Sequence, residues 1–375
     1  MHEETKKKKI IVCFADVGGG HRSVAMAIQE YISYKYPEIE VELGNIAKDY
    51  GDYFLRHSGQ FYSLMIKRFP LIWEHLFVKS LTKFPLLGHA ILAIAWNKYK
   101  RNIGEFIEEN PADLYVSTLH FYGYYLEKYR SKKKKDYKIM TIVTDICYMN
   151  FFWVVKGHDL IILPTKEIYE HGKKFLKGIE KKVKVFGLPI NQKYYNTKIP
   201  SVANNKSKLN VLIATGGEGA SNIWKLCQGI DELKDKNISV QVSVGKNTRL
   251  ENKISSKKWN ISITAFGWVA GLIDKYIWSD IIITKAGPTT IWECMIMDRP
   301  MIIYSYIKGQ EDGNIEYALK YSRSVYIKSF DKIVEKIKNI SKNGIKKEFP
   351  YPKNYNRKFT QTNWTEKICE EIVKL

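Results

Sequence analysis

The chain twice runs through the same local pattern: a β-rich apolar run, a cluster of glycines, then a helix. "KKIIVCFADVGGGHRSVAMAIQEYISYKY" opens the first half, and "LNVLIATGGEGA", with helical sequence continuing to about Leu233, opens the second. A buried strand that turns through glycine straight into a helix starts a βαβ unit. Its repetition along the chain sets a parallel, doubly wound sheet in each half. Short β-rich runs continue the first series as "EIEVELGNI", "DLYVSTL", "YKIMTIVTD", "HDLIILPT" and "KKVKVFGLP". A polar, aperiodic stretch at 191–208 reads as a linker. Beyond it, "ISVQVSVG", "ISITAFGW", "DIIITKAG" and "RPMIIYSY" carry the second series. The 375 residues therefore read as α/β, with Rossmann-like domains at 1–195 and 208–350. A tail at 351–375 ends in the helical "TEKICEEIVKL", expected to pack back on the first domain.

Charge narrows the choice of partner. The formal net charge is +21, which favours anions: nucleic acid, an acidic membrane surface or a phosphate-bearing substrate. Cys13, Cys147, Cys227, Cys294 and Cys369 are scattered without metal-ligand spacing, as expected of reduced thiols and not of a zinc site. No secretory signal is read in the opening residues, because the apolar stretch after Lys6–Lys9 is too short and runs directly into Asp16 and glycines. The longest apolar stretch, "PLLGHAILAIAW" at 85–96, is well below the ~20 residues of a spanning helix. The region 53–99 stands apart from the alternation, mixing Phe, Tyr, Trp and Leu with Lys and Arg. That mixture suits either a helical insertion packed on the sheet or a surface lying among lipid headgroups.

Three loops carry the chemistry. Gly18, Gly19 and Gly20 in "ADVGGGHRS" permit positive φ and close approach at a helix start, yet the pattern is neither GxGxxG nor a P-loop. "ATGGEGAS" at 214–221 holds more glycines than a tight turn needs. In "ITKAGPTTIWE", Gly287 is expected to let the chain bend and Pro288 to open a helix. Thr289 and Thr290 would then offer N–H groups and hydroxyls to an anion. Glu293, one turn in, suits ribose hydroxyls, and "IKGQEDGN" at 307–314 adds Gln310, Glu311 and Asn314 for further hydroxyls. A phosphate loop beside sugar-binding carboxylates points to a nucleotide-sugar.

These residues, with "GGGHRSVAMAI", "TDI…W", "FGLPI", "GGEG", "FGW", "SDIIITKAGPTTIWECMIMDRPMII" and "GQEDGN", resemble the monogalactosyldiacylglycerol synthase and processive diacylglycerol glucosyltransferase family of glycosyltransferase family 28. The peptidoglycan N-acetylglucosaminyl transferase is a relative of that family. The resemblance runs in order over roughly residues 8–320. It implies the GT-B fold, two Rossmann-like domains facing a cleft. The implied reaction is inverting transfer of galactose or glucose from a UDP-sugar to diacylglycerol, giving a β-glycoside. It places Gly216, Gly217 and Glu218 near the diphosphate and sets Phe266 and Trp268 against the uracil. It assigns Gly287, Pro288, Thr289 and Thr290 to the diphosphate, Glu293 to the ribose, and Gln310 and Glu311 to the hexose. His21 matches a histidine on the acceptor side. One departure is plain: Met149 and Asn150 stand where the family has a histidine after the "TD" strand end.

Inverting transfer needs a base for the acceptor hydroxyl, and an imidazole titrates in the right range. His21 is the expected base, with Asp145 orienting it or acting in its place. Loop amides and a helix dipole are expected to steady the leaving diphosphate, so neither a metal nor a resident cofactor is called for. The expected partners are the UDP-sugar, diacylglycerol or a related lipid, and an anionic membrane, placing the protein peripherally on the cytoplasmic side of the cell membrane. Another lipid acceptor, a sterol or an undecaprenyl-linked peptidoglycan precursor, would suit the same fold. A non-enzymatic nucleic-acid-binding protein would share the basic surplus but leaves the ordered "KAGPTTI…GQEDGN" unexplained, and no nucleic acid is expected.

Overall fold

The computed structural model describes residues 7–16, 19–75, 85–198, 208–215, 223–269 and 271–375. Its strands form two six-stranded sheets. The first contains β1 (Lys9–Cys13), β2 (Glu40–Gly44), β3 (Leu114–Ser117), β4 (Lys138–Ile142), β5 (Leu160–Leu163) and β6 (Val183–Val185). The second contains β7 (Leu209–Ala214), β8 (Ile238–Gly245), β9 (Ser262–Gly267), β10 (Ile281–Lys285), β11 (Met301–Ser305) and β12 (Ser324–Tyr326). All neighbours pair in parallel, in the orders β2-β1-β3-β4-β5-β6 and β12-β11-β10-β7-β8-β9. The central strands are apolar without alternation, as in Ile10, Ile11 and Val12 or Ile281, Ile282 and Ile283, because helices cover both faces of a parallel sheet.

Eleven strands fall where the β-rich runs lie; β12 is the addition. It is a three-residue edge strand inside "SRSVYIKS", too short and too polar in its surroundings to show a period.

The main helices are α1 (Gly20–Lys35), α2 (Pro85–Glu109), α3 (His120–Lys133), α4 (Lys166–Leu176), α5 (Ile223–Asp231), α6 (Thr248–Ser255), α7 (Ile273–Trp278), α8 (Pro288–Ile296), α9 (Asp312–Tyr321), α10 (Phe330–Asn343) and α11 (Trp364–Lys374). The chain divides into two compact units: Met1–Gln192 with Lys308–Gln310 and Asn363–Leu375, and Lys193–Ile307 with Glu311–Thr362. The final helix α11 belongs to the first unit, where it packs on α1. Thr365 Oγ1 accepts the Ile190 N–H at 2.8 Å, and Gly187 has no room for a side chain because its Cβ would fall 2.0 Å from the Trp364 ring.

In 53–99 the described residues are helical, as Tyr53–Arg56, Ser58–Arg68, Pro70–Ile72 and the start of α2. They do not all pack on the sheet. Phe54, Phe61, Leu64, Leu71, Ile72 and Ile94 are between 45% and 70% exposed, and the basic side chains of Arg56 and Arg68 are exposed among them. The Lys98 ammonium stands 5.5 Å from the Phe54 ring centroid. No helix among the described residues is long and apolar enough to cross a membrane.

Candidate functional site

In an open parallel sheet, the loops beyond two neighbouring strands splay apart where the winding reverses, and ligands bind in that crevice at the carboxyl ends. The first unit reverses between β1 and β3. The loop after β1 leads into α1 through Gly19, whose φ of 81° is the left-handed geometry that favours glycine. His21 follows on the first turn of α1, with Nδ1 2.7 Å from the Thr118 carbonyl oxygen and 3.1 Å from Thr144 Oγ1. A carbonyl can only accept, so Nδ1 carries the proton and the Nε2 lone pair is left for another donor. Burial lowers the His21 pKa to about 4, against the opposing pull of the Thr118 hydrogen bond, and keeps the ring neutral.

Asp145 lies beyond β4 at the same edge. Its Oδ2 accepts the Trp153 indole N–H at 2.8 Å, while Thr118 holds the imidazole. The Trp153 ring lies 6.4 Å from His21, so Asp145 fixes the apolar wall beside that imidazole. Met149 and Asn150 have settled into structural roles. Met149 is 1% exposed, packed in the apolar cluster with Trp153 and Ile168, and Asn150 Oδ1 accepts the Phe152 N–H at 3.1 Å. The sequence reading passed over His120, the first residue of α3. Its ring makes an edge contact with Trp153 at 5.2 Å, and burial, with His21 nearby, lowers its pKa to about 3. Its position directly after a central strand is the one sequence signal that marks it.

The second unit reverses between β7 and β10. The loop after β7 holds Gly216, Gly217 and Glu218, which lie outside the described residues. The loop after β10 is Lys285–Ala286–Gly287, with Pro288 at the first helical position of α8. The Gly287 N–H is spent on Lys285 O at 2.8 Å, Pro288 has none, and the Ile291 N–H returns to Gly287 O at 3.0 Å. No side chain caps this helix. Among the described residues, two backbone donors, those of Thr289 and Thr290, are therefore left open at the positive end of α8, the arrangement that holds an anion.

Gly287 corrects one expectation. Its φ of −71° and ψ of 132° are open to any residue, so the bend does not depend on glycine. A Cβ there would sit 3.7 Å from Lys285 Cε and 3.9 Å from Thr290 Oγ1, ordinary contacts.

The other assigned residues share this edge. Glu293 accepts from the Tyr276 hydroxyl at 2.9 Å and from Tyr194, yet burial outweighs both and pushes its pKa up to about 7. Glu311, 4% exposed, accepts the Ile307 N–H at 2.8 Å and the Lys285 ammonium at 3.3 Å, so each carboxylate oxygen already has a partner. Gln310 directly precedes it, partly exposed. Asn314 is buried and donates to Ala286 O at 2.9 Å, tying the two loops together. Phe266 and Trp268 lie at the end of β9, with the Lys275 ammonium 4.7 Å from the Phe266 centroid and Trp268 54% exposed.

Two doubly wound parallel sheets of this kind, each with a crevice at its reversal, define the GT-B fold. Solved structures share the fold. MurG from Acinetobacter baumannii aligns over 98% of this chain and 100% of its own, with TM-score 0.55 and 11% identity. The glycotransferase of kitacinnamycin aligns over 98% and 99%, with TM-score 0.60 and 10% identity. Residues 21–190 match the monogalactosyldiacylglycerol (MGDG) synthase family and residues 210–368 the glycosyltransferase family 28 C-terminal domain. Together the two matches span most of the chain, in the order of the two sheets. Monogalactosyldiacylglycerol synthase 1 of Arabidopsis thaliana is 28% identical over 344 residues, which are 87% of this chain and 63% of that protein. Monogalactosyldiacylglycerol synthase 3 of the same plant is 26% identical over 92% of this chain and 78% of its own length.

Proposed function

We propose that this protein transfers a hexose, galactose or glucose, from a UDP-sugar to diacylglycerol at a membrane surface, with inversion to a β-glycoside. The observation that carries the reading is the pair of open amides of Thr289 and Thr290 at the mouth of α8, in a domain of family 28. The diphosphate takes those amides, so that the negative charge growing on it as the sugar departs meets fixed donors and the helix dipole in place of a metal ion. His21, neutral with Nε2 open, removes the proton of the acceptor hydroxyl as that oxygen attacks C1. Asp145 acts through Trp153, shaping the acceptor side and not the proton path. Glu293 takes the ribose hydroxyls, and Phe266 and Trp268 border the uracil. The relatives' name, MGDG synthase, supports diacylglycerol as acceptor. The deciding experiment incubates the protein with radiolabelled UDP-galactose or UDP-glucose in diacylglycerol vesicles and follows label into lipid. Label in a diacylglycerol glycolipid is expected. No transfer with either donor overturns the reading, and label appearing only with a sterol or polyprenyl acceptor overturns the choice of acceptor.

The depressed His21 pKa fixes the pH profile. A base works only when unprotonated, so lowering its pKa from 6.5 to about 4 extends activity toward acid. The acid limb of kcat/KM is expected near pH 4, below the ordinary imidazole range. A limb centred at 6.5 would show that a different group accepts the proton.

The exposed apolar and basic side chains of 53–94 provide the membrane contact in this reading, on the cytoplasmic face. Cations near anionic headgroups contribute ~1 kcal/mol each. Binding to vesicles is expected to rise with anionic lipid and fall with salt, measured by sedimentation. Equal binding to neutral vesicles would overturn the electrostatic part of the docking.

A further inference from the structure

Lys285 closes β10 and stands where the strand gives way to the loop of open amides. Its Cε lies 3.7 Å, and Thr290 Oγ1 3.9 Å, from the single point that a Cβ of Gly287 would occupy. Lysine and threonine therefore flank the same approach to the helix mouth. The ammonium, however, is turned toward Glu311, 3.3 Å from Oε1. The two members of that pair differ in freedom. The Glu311 side chain is 5% exposed and pinned through Oε2 by the Ile307 amide, whereas that of Lys285 is 29% exposed on a flexible stem. The Asn314 bond to Ala286 O holds the two loops in place around them.

We propose that Lys285 is the charged contact of the donor site. Glu311 parks its ammonium while the site is empty, and a nucleoside diphosphate draws it across to the phosphate oxygens held at Thr289 and Thr290. The proposal deepens the donor reading above and rests on it. The exchange swaps one ion pair for another, so the incoming charge is met. Glu311 keeps the Ile307 amide and gains an open Oε1, an acceptor suited to a hydroxyl of the sugar. A compact ammonium with three rotatable donors suits such a transfer better than a fork that is already bound on both sides. A carboxylate this buried, released by its cation, also calls for a new donor, so the parking residue and the sugar contact are one residue at two stages.

A purely structural ion pair and a donor-exchanged pair respond to mutation with different signs. Calorimetry with UDP and with uridine reads the difference, since the two probes share the base and ribose and differ in charge. Lys285→Met is expected to weaken UDP about tenfold, the scale of one charge-assisted hydrogen bond, while uridine binding holds. Lys285→Arg is expected to keep most of the UDP preference. Glu311→Gln is expected to bind UDP at least as tightly as wild type, because the ammonium loses its competing partner, while transfer to lipid slows. An unchanged ratio of UDP to uridine affinity in Lys285→Met overturns the proposal. If that variant does not fold, weaker UDP binding by Glu311→Gln overturns it equally. Wild-type protein that binds no UDP would overturn the donor reading itself, a result distinct from an unchanged ratio.

Discussion

His21→Asn is expected to lower kcat by about a hundred- to ten-thousandfold, the range that positioned proton transfer contributes. Asparagine, whose amide nitrogen is bonded to Cγ as Nδ1 is, can reproduce the hydrogen bond from Nδ1 to the Thr118 carbonyl, 2.7 Å away. What it cannot supply is a basic lone pair where Nε2 stands. The variant therefore separates the two roles of the residue, anchoring the loop and accepting a proton. Its melting temperature and donor KM are expected to stay close to wild type, because the proposed diphosphate contacts, Thr289 and Thr290, follow β10 of the second sheet. The measurement is steady-state transfer to lipid at saturating donor, with thermal unfolding as the control. A variant retaining a tenth or more of the wild-type rate would show that His21 serves the loop alone. Asp145→Asn provides the contrast. An asparagine oxygen still accepts the Trp153 N–H, so this change is expected to cost far less than the loss of His21.

Where sequence and structure agree, the information is local. A glycine cluster between an apolar run and a helix sets the strand–loop–helix unit from neighbouring residues alone, as with Gly19 before α1 or Gly287 and Pro288 before α8. What the sequence could not show depends on the order of the strands. His120 carries no motif; it matters because β3 lies beside β1, a pairing of residues about a hundred positions apart. Asp145 and His21 look like partners by chemistry, yet the Thr118 carbonyl, which has no side-chain signature, takes the imidazole nitrogen. Glu311 reads from sequence as a sugar ligand in a polar turn. In the fold it is enclosed beside β10 and paired with Lys285, because β11 is the strand next to β10. The reason expected for Gly287 does not hold. The φ of −71° removes the conformational need for glycine, and in the donor reading the approach of a ligand takes its place.

That distinction gives the second large effect. Gly287→Ala is expected to fold normally and to bind the donor poorly. The added methyl meets nothing closer than Lys285 Cε at 3.7 Å, and the backbone angles suit alanine. The cost to stability is that of alanine in place of glycine at a helix N-cap, no more than about 1 kcal/mol. In the donor reading, a phosphate on the Thr289 and Thr290 amides lies against that same point, between Lys285 and Thr290 Oγ1. With a methyl in the way, the charge-assisted hydrogen bonds to those amides lengthen or are lost. Each contributes about 1.5–3 kcal/mol, so donor KM is expected to rise by one to two orders of magnitude. Uridine, which has no phosphate to place, loses little. Comparing the affinities of UDP and uridine with the melting temperature tells the outcomes apart. Normal folding with a selective loss of UDP places the diphosphate at the mouth of α8. Unchanged UDP affinity with normal folding would show that the open amides serve no ligand, and the assignment of the second sheet as the donor site would go with them.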